Sequence, residues 1–184
     1  MKRILSVVYL TFTIFASSAA IKHPSLLFTP DRVEAAKKKS QTDTTYTHAW
    51  CRIKAEADKQ LKNGANVRML EYPALAWQIT GDTAYCNLVK RELIKTSQVK
   101  SWGDKEMLAR RPAWRSELQM SHRAFQLAVA YDAVYNQLTQ TERQKIARGL
   151  YNLAVEPLLG DWINDKTRIH SLNSMGHNWW TSCA

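Results

Sequence analysis

A histidine, an amide and two adjacent tryptophans stand together in the stretch NSMGHNWW, residues 173–180. The side chain of Asn178 carries two uncharged N–H donors, and His177 can donate or accept a proton near neutral pH. Trp179 and Trp180 each offer a flat apolar face. At helical spacing the two rings point in different directions, so at most one of them faces a cleft. The cluster fits the edge of a catalytic cleft, an exposed aromatic tail, or the first turn of a helix with Asn178 as its N-cap.

A second pair of chemically active residues falls on one predicted helix, residues 116–136. One face of that helix, with Met120 and Leu127 on it, is plain core, and an adjoining stripe contains His122 and Asp132. A helix that is apolar on most sides is buried, and its polar groups need partners or a wet cavity. The stripe therefore either lines a cleft or contains two structural hydrogen-bonding groups, with Asp132 for example capping a neighbouring helix.

The cysteines indicate neither a metal site nor a redox centre. Cys51, Cys86 and Cys183 have no CxxC or metal-ligand spacing, and we expect no metal and no cofactor. Cys51 and Cys86 fall on neighbouring predicted helices and could pair, although two buried free thiols fit the sequence better. Cys183 is left single.

The N-terminus has the pattern of a secretory signal peptide at residues 1–20. Lys2 and Arg3 precede an apolar run at 4–16, and small residues follow at 17–20. The run is shorter than the roughly 20 residues of a membrane-spanning helix, which disfavours a membrane anchor. We expect a secreted or periplasmic protein, without stable membrane insertion after cleavage, whose single domain covers residues 21–184.

The charge balance limits the kinds of binding partner that fit this sequence. The formal net charge is +10, of which the predicted signal peptide supplies two charges through its Lys and Arg. In an exported protein this favours anionic glycans or surfaces over nucleic acid, although the charge could serve solubility alone. The cations are scattered, with no basic run longer than residues 37–39, which also disfavours nucleic acid.

Almost every periodic segment has the helical period, and no segment alternates like a strand. The sequence predicts an all-α fold of antiparallel helix hairpins, with a kink or late start at Pro73 and a Gly81-Asp82 turn between two helices. The stretch 100–115 is predicted to be a long loop with one helical turn, and 160–176 a polar loop. The predicted helices start near 30, 45, 67, 83, 116 and 140 and end near 39, 62, 79, 96, 136 and 157.

Several segments, taken in order, resemble the N-terminal part of heparinase II/III-like polysaccharide lyases and related alginate-lyase-like proteins. Their order after a signal peptide carries the resemblance, which covers most of the mature chain. The segments are HPSLLFT at 23–29, ALAWQITGD at 74–82, AYDAVY at 130–135, LT at 138–139 with ER at 142–143, and NSMGHNWW at 173–180.

The resemblance implies a part of an incomplete (α/α) toroid, followed in the family by a β-sandwich, and cleavage of uronic-acid-containing glycans by β-elimination. It implies that Asn178 faces the uronate carboxylate, with His177 as a second donor or proton acceptor. It also implies that the substrate, an anionic polysaccharide, contacts Trp179, Trp180, His122, Trp114 and Arg168. His170, Arg115 and Glu117 lie in or beside loops where further glycan contacts could form.

The family's acid–base tyrosine is expected downstream of the asparagine–tryptophan segment and has no counterpart in these 184 residues. We therefore expect a segment of a longer reading frame, or a truncated product, that is inactive as a lyase alone. The competing hypothesis is a non-catalytic helical-hairpin scaffold that binds a protein or an anionic glycan. The absence of a motif repeated at a fixed period argues against that scaffold.

Overall fold

The computed structural model describes residues 21–164 and Cys183, and all regular structure in this part of the chain is helical. Helix accounts for 76% of the described residues, which confirms the predicted all-α class. The α-helices are α1 (Pro30–Thr42), α2 (Thr44–Asn63), α3 (Glu71–Thr80), α4 (Thr83–Thr96), α5 (Lys105–Ala109), α6 (Leu118–Val134), α7 (Gln140–Leu150) and α8 (Glu156–Leu158). Two 3-10 turns, Val67–Met69 and Tyr135–Gln137, precede α3 and follow α6.

Local sequence signals set most of the helix boundaries. Gly64 ends α2 at a φ of 100°, and Gly81 ends α3 in the left-handed region at 71°, where a side chain would be strained. The Asp82 carboxylate then accepts a hydrogen bond from the backbone N–H of Ala84 and caps α4. The predicted late start at Pro73 is confirmed, because α3 begins at Glu71 and Pro73 lies in its first turn. Thr29 occupies the N-cap of α1, but its hydroxyl makes no capping hydrogen bond.

Each of the first three helices packs on the next one in the sequence, and α6 packs against α3 and α4. α1 packs on α2, α2 on α3 and α3 on α4, while α3 and α4 both pack on α6, and α7 packs on α4. Because only Gly81 and Asp82 separate α3 from α4, these two contacting helices are antiparallel. The main core is formed by the apolar faces of α3, α4, α6 and α7, with Phe28 and Trp102 added from the connecting segments.

The chain after α7 differs from the prediction. A loop was expected from residue 160, whereas the helical path continues to Ile163 through π-helical turns at Tyr151–Val155 and Leu159–Ile163 on either side of α8. Pro157 lacks the N–H that an α-helix requires, and wider π-helical turns are a known way to accommodate such an interruption. Gly160, Asp161 and Trp162 are buried, so tertiary packing holds this stretch in helical form.

The second half of this helical path carries an apolar face that is open to solvent. Tyr151, Val155, Leu159 and Ile163 recur at every fourth residue, and each is between 42 and 54% exposed. No helix within residues 21–164 is both long and apolar enough to cross a bilayer.

Candidate functional site

The described residues contain two of the seven predicted site residues. His122 lies on α6, and Trp114 lies in the segment that precedes it. The other five, His177, Asn178, Trp179, Trp180 and Arg168, lie outside the described residues. The signal-peptide prediction for residues 1–20 also falls outside them.

Asp132 is the centre of a buried hydrogen-bond cluster rather than a lining of a cleft. Asp132 is 4% exposed, and one of its carboxylate oxygens accepts hydrogen bonds from the backbone N–H groups of Ser25 and Leu26, each at 2.8 Å. The other oxygen lies 2.5 Å from Nδ1 of His23 and 3.3 Å from the Ser25 hydroxyl. The structural interpretation is therefore confirmed for Asp132, although it anchors the extended segment before α1 and not the N-terminus of a helix.

The electrostatics of this cluster favour the ionised carboxylate. Burial alone would raise the pKa of the Asp132 carboxyl, but the hydrogen bonds from His23, Leu26 and Ser25 outweigh it and lower the pKa below its ordinary value. Both carboxylate oxygens of Asp132 already accept hydrogen bonds, so this side chain is not available as a general base in this structure.

His122 does not share a site with Asp132. His122 and Phe125 lie on the solvent-facing side of the N-terminal half of α6: His122 is exposed and Phe125 is 62% exposed, whereas Met120 and Leu127 on the other side of the helix are buried. Of the two interpretations of the stripe from His122 to Asp132, the structural one holds for Asp132, while His122 is a surface residue at the other end of the stripe. Its two ends differ because α3 and α4 cover the part of α6 near Asp132, where Val129, Ala130 and Ala133 are buried.

A second buried aspartate lies beside Trp114. Asp161 is 1% exposed and accepts hydrogen bonds from the backbone N–H groups of Arg115 and Ser116, at 2.7 and 2.8 Å, and from the Ser116 hydroxyl at 2.9 Å. Nε1 of Trp162 donates to the same Ser116 hydroxyl at 3.0 Å. This arrangement repeats the Asp132 cluster: a helical aspartate holds two consecutive N–H groups of an irregular segment.

Arg115 and Glu117, which the sequence placed among possible glycan contacts, have structural partners here. The Arg115 guanidinium binds both oxygens of Glu156, at 2.8 and 2.9 Å, and its Nε lies 3.2 Å from Asp161. The Glu117 carboxylate caps α6 through the backbone N–H groups of Gln119 and Met120. Both side chains are therefore engaged by groups of the protein itself.

Trp114 is half-buried and stacks with a cation. The guanidinium carbon of Arg110 lies 4.2 Å from the centre of the Trp114 ring, and the Trp114 backbone N–H donates to the carbonyl of Met107 at 3.1 Å. The indole face is thus already partly covered by Arg110, which a sugar would have to displace or share.

Cys183 also lies in this region. Its buried thiol hydrogen-bonds with the Ser121 side chain, and burial, together with the negative charges of Glu117 and Asp161, raises its pKa. The three cysteines are free thiols; Cys86 is buried, but Cys51 is exposed, which corrects the expectation that both were buried. Within residues 21–164 and Cys183, no three His, Cys, Asp or Glu side chains are grouped closely enough to hold a metal ion.

Sequence reasoning did not identify a pocket that has only cationic charges in its lining. Lys145 and Arg148 on α7 and Lys100 in the loop after α4 line a cavity of about 560 Å³. The three-residue spacing of Lys145 and Arg148 places both on one face of α7 and was readable in the sequence, whereas the approach of Lys100 depends on how α4 packs on α7.

No protein-family model matches this sequence, and no curated protein matches it closely enough to count as a relative. The family resemblance therefore rests on the short sequence segments named in the sequence analysis. In the described part of the chain, these segments meet around Asp132.

Proposed function

We propose that this chain is the N-terminal segment of a secreted polysaccharide lyase, which cleaves uronic-acid-containing glycans by β-elimination on an incomplete (α/α) toroid. The proposal is carried by one observation: the separate segments that resemble the lyase family make direct contacts with one another.

The contacts join every described segment of the resemblance. The first segment supplies His23, which binds Asp132 and stacks on the ring of Tyr135 with 3.8 Å between ring centres. The second supplies Gln78, whose amide donates to the Ala133 carbonyl at 2.6 Å. The last supplies Arg143, whose guanidinium lies 4.3 Å from the Tyr135 ring and donates to the Tyr135 carbonyl at 3.0 Å. These segments therefore form one contiguous packed feature of the domain.

The proposed chemistry belongs to the remaining segment, 173–180. β-Elimination removes the proton α to the uronate carboxylate and expels the oxygen on the β carbon. The negative charge that develops on the carboxylate needs hydrogen-bond donors, the role proposed for Asn178, with His177 as donor or proton acceptor. Trp179 or Trp180 would supply the apolar face for a sugar ring.

The test measures binding of this chain to a uronate polymer, with an uncharged polymer of the same length as the reference. We expect preferential binding of the uronate, weakened at least about tenfold by Asn178→Ala, because a hydrogen bond to a charged group contributes about 1.5–3 kcal/mol. Asn87→Ala is the matched control, since Asn87 is an exposed residue on α4.

The outcomes separate the hypotheses. Equal binding of the charged and uncharged polymers overturns the proposal. Preferential binding that Asn178→Ala leaves unchanged removes Asn178 from the site and favours the non-catalytic scaffold. Release of unsaturated uronides, followed by their ultraviolet absorbance, would establish β-elimination directly and contradict the expectation of an inactive segment.

A further inference from the structure

The cationic pocket lies where the exposed face of α7 meets the loop after α4. Lys145 and Arg148 come from α7, Lys100 and Ser97 come from the connection after α4, and Asn152 closes the far side. The lining contains three cations, several hydroxyl and amide groups, and no carboxylate. Its volume of about 560 Å³ exceeds what a single inorganic ion needs, so a larger molecule that carries an anionic group also fits.

In the described part of the chain, no carboxylate pairs with the three cations of the pocket, whereas some other cations do have carboxylate partners. Lys90 pairs with Glu142, and Arg115 with Glu156, so the two carboxylates nearest to the pocket along this helical path are already engaged. Among the described residues, Lys100, Lys145 and Arg148 form no ion pair. Like charges gathered around one cavity repel one another, and an anion bound between them would remove that repulsion.

The pocket is built on a tight contact rather than on mobile surface side chains alone. Gly149 packs directly against Ser97: a Cβ added to Gly149 would lie 2.4 Å from the Ser97 Cβ and 2.6 Å from its carbonyl oxygen. This close approach fixes the loop that bears Lys100 against the helix that bears Lys145 and Arg148. Such a contact limits the reorganisation that binding would otherwise require.

The pocket continues into a smaller cavity. This second cavity, of about 200 Å³, shares Lys100, Asn152 and Leu153 with the first and reaches Arg115 and its ion-pair partner Glu156. The two cavities form a groove with the cations concentrated at one end. Amide and hydroxyl groups such as those of Asn152 and Ser101 can hydrogen-bond the hydroxyls of a sugar beside the anionic group.

We propose that Lys100, Lys145 and Arg148 bind a doubly charged oxyanion, sulfate or phosphate, either free or as an ester on a small sugar. Three cations without a carboxylate match a dianion better than a single carboxylate, and an arginine among them can bind two of its oxygens at once. None of the seven predicted site residues lines this pocket, and its existence does not depend on the proposed lyase function.

The experiment titrates the full chain with inorganic phosphate, inorganic sulfate and glucose 6-phosphate by calorimetry, with sodium chloride at matched ionic strength and glucose as controls. The pocket variant is Lys145→Gln with Arg148→Gln. The matched control is Lys38→Gln with Lys62→Gln, which removes the same charge from exposed positions on α1 and α2. Lys100→Gln is a second, single variant, located in the loop and outside any helix.

We expect saturable binding at one site, weakened about tenfold or more in the pocket variant and in Lys100→Gln and unchanged in the control. Tighter binding of glucose 6-phosphate than of phosphate assigns the pocket to a sugar ester, and equal binding assigns it to the free ion. Binding no stronger than that of chloride overturns the proposal. Equal affinity in the pocket variant and the native chain also overturns it.

Discussion

Replacing Asp132 with asparagine tests whether this one carboxylate holds the N-terminal segment in place. The substitution keeps the shape of the side chain and removes its charge. An asparagine oxygen facing Ser25 and Leu26 could still accept both backbone N–H groups, but without the assistance of the negative charge. Its NH2 group would then face Nδ1 of His23 and the Ser25 hydroxyl, where an acceptor stood before.

The expected loss follows from these contacts. A hydrogen bond to a charged group stabilises by about 1.5–3 kcal/mol and a neutral one by about 0.5–1.5, so two bonds that lose their charge assistance lose about 2 kcal/mol together. The weakened contact with His23 adds about 1 kcal/mol, which gives a total near 3 kcal/mol. For a chain of this size that corresponds to a fall in Tm of about 6–12 °C.

Denaturant unfolding at pH 7 measures the effect, and Asp82→Asn serves as the control. Asp82 undergoes the same chemical change at an exposed helix cap, where asparagine is nearly as good as aspartate. A difference between the two variants of less than about 0.5 kcal/mol would refute the argument, because it would mean that the buried charge contributes nothing net.

The same variant has a defined pH dependence. Because the folded state lowers the pKa of Asp132, its contribution is fully present above the unfolded-state pKa, about 3.9, and is lost as pH falls through the lower folded-state value. The gap between the native chain and Asp132→Asn should therefore be constant near neutral pH and close in strong acid. A gap that persisted unchanged in strong acid would contradict the assignment to the ionised form.

Three further outcomes are expected from the described packing. Gly149→Ala should destabilise the fold by about 1–3 kcal/mol in denaturant unfolding, because its Cβ would collide with the backbone of Ser97; a neutral effect would show that the loop yields freely. Thr139→Ala should cost about 1 kcal/mol by breaking the capping box at the start of α7, measured as a shift in Tm, and an unchanged Tm would contradict the cap's contribution. An alkylating reagent should modify Cys51 in the native protein, while Cys86 reacts only on unfolding, because burial shields its thiol and raises its pKa; native labelling of Cys86, detected by mass spectrometry, would contradict this burial.

The helix boundaries were predictable where a local signal decides them. Gly64 and Gly81 end helices because their φ values suit glycine, and the capping box at Thr139 and Glu142 opens α7 as its spacing predicts. The end of the last helix was not predictable in this way. Gly160 and the polar residues after it read as a loop, whereas the buried contacts of Asp161 and Trp162 keep the stretch helical.

The candidate site was less predictable than the fold. Periodicity placed His122 and Asp132 on the same side of α6, but it could not show that this side faces solvent at His122 and is covered by other helices at Asp132. The partner of Asp132 comes from a segment more than a hundred residues earlier, and no local pattern specifies such a contact. Lys100 likewise joins the α7 cations only through tertiary packing.

The Asp132 cluster also fixes an order of events during synthesis. The backbone donors of Ser25 and Leu26 are among the first to leave the ribosome, yet their acceptor is made 107 and 106 residues later. The N-terminal end can therefore dock only after α6 has been made, although chains generally begin to fold from the N-terminus as they emerge. A nascent chain halted before Asp132 should present residues 21–29 to a protease, and one extended beyond α6 should protect them.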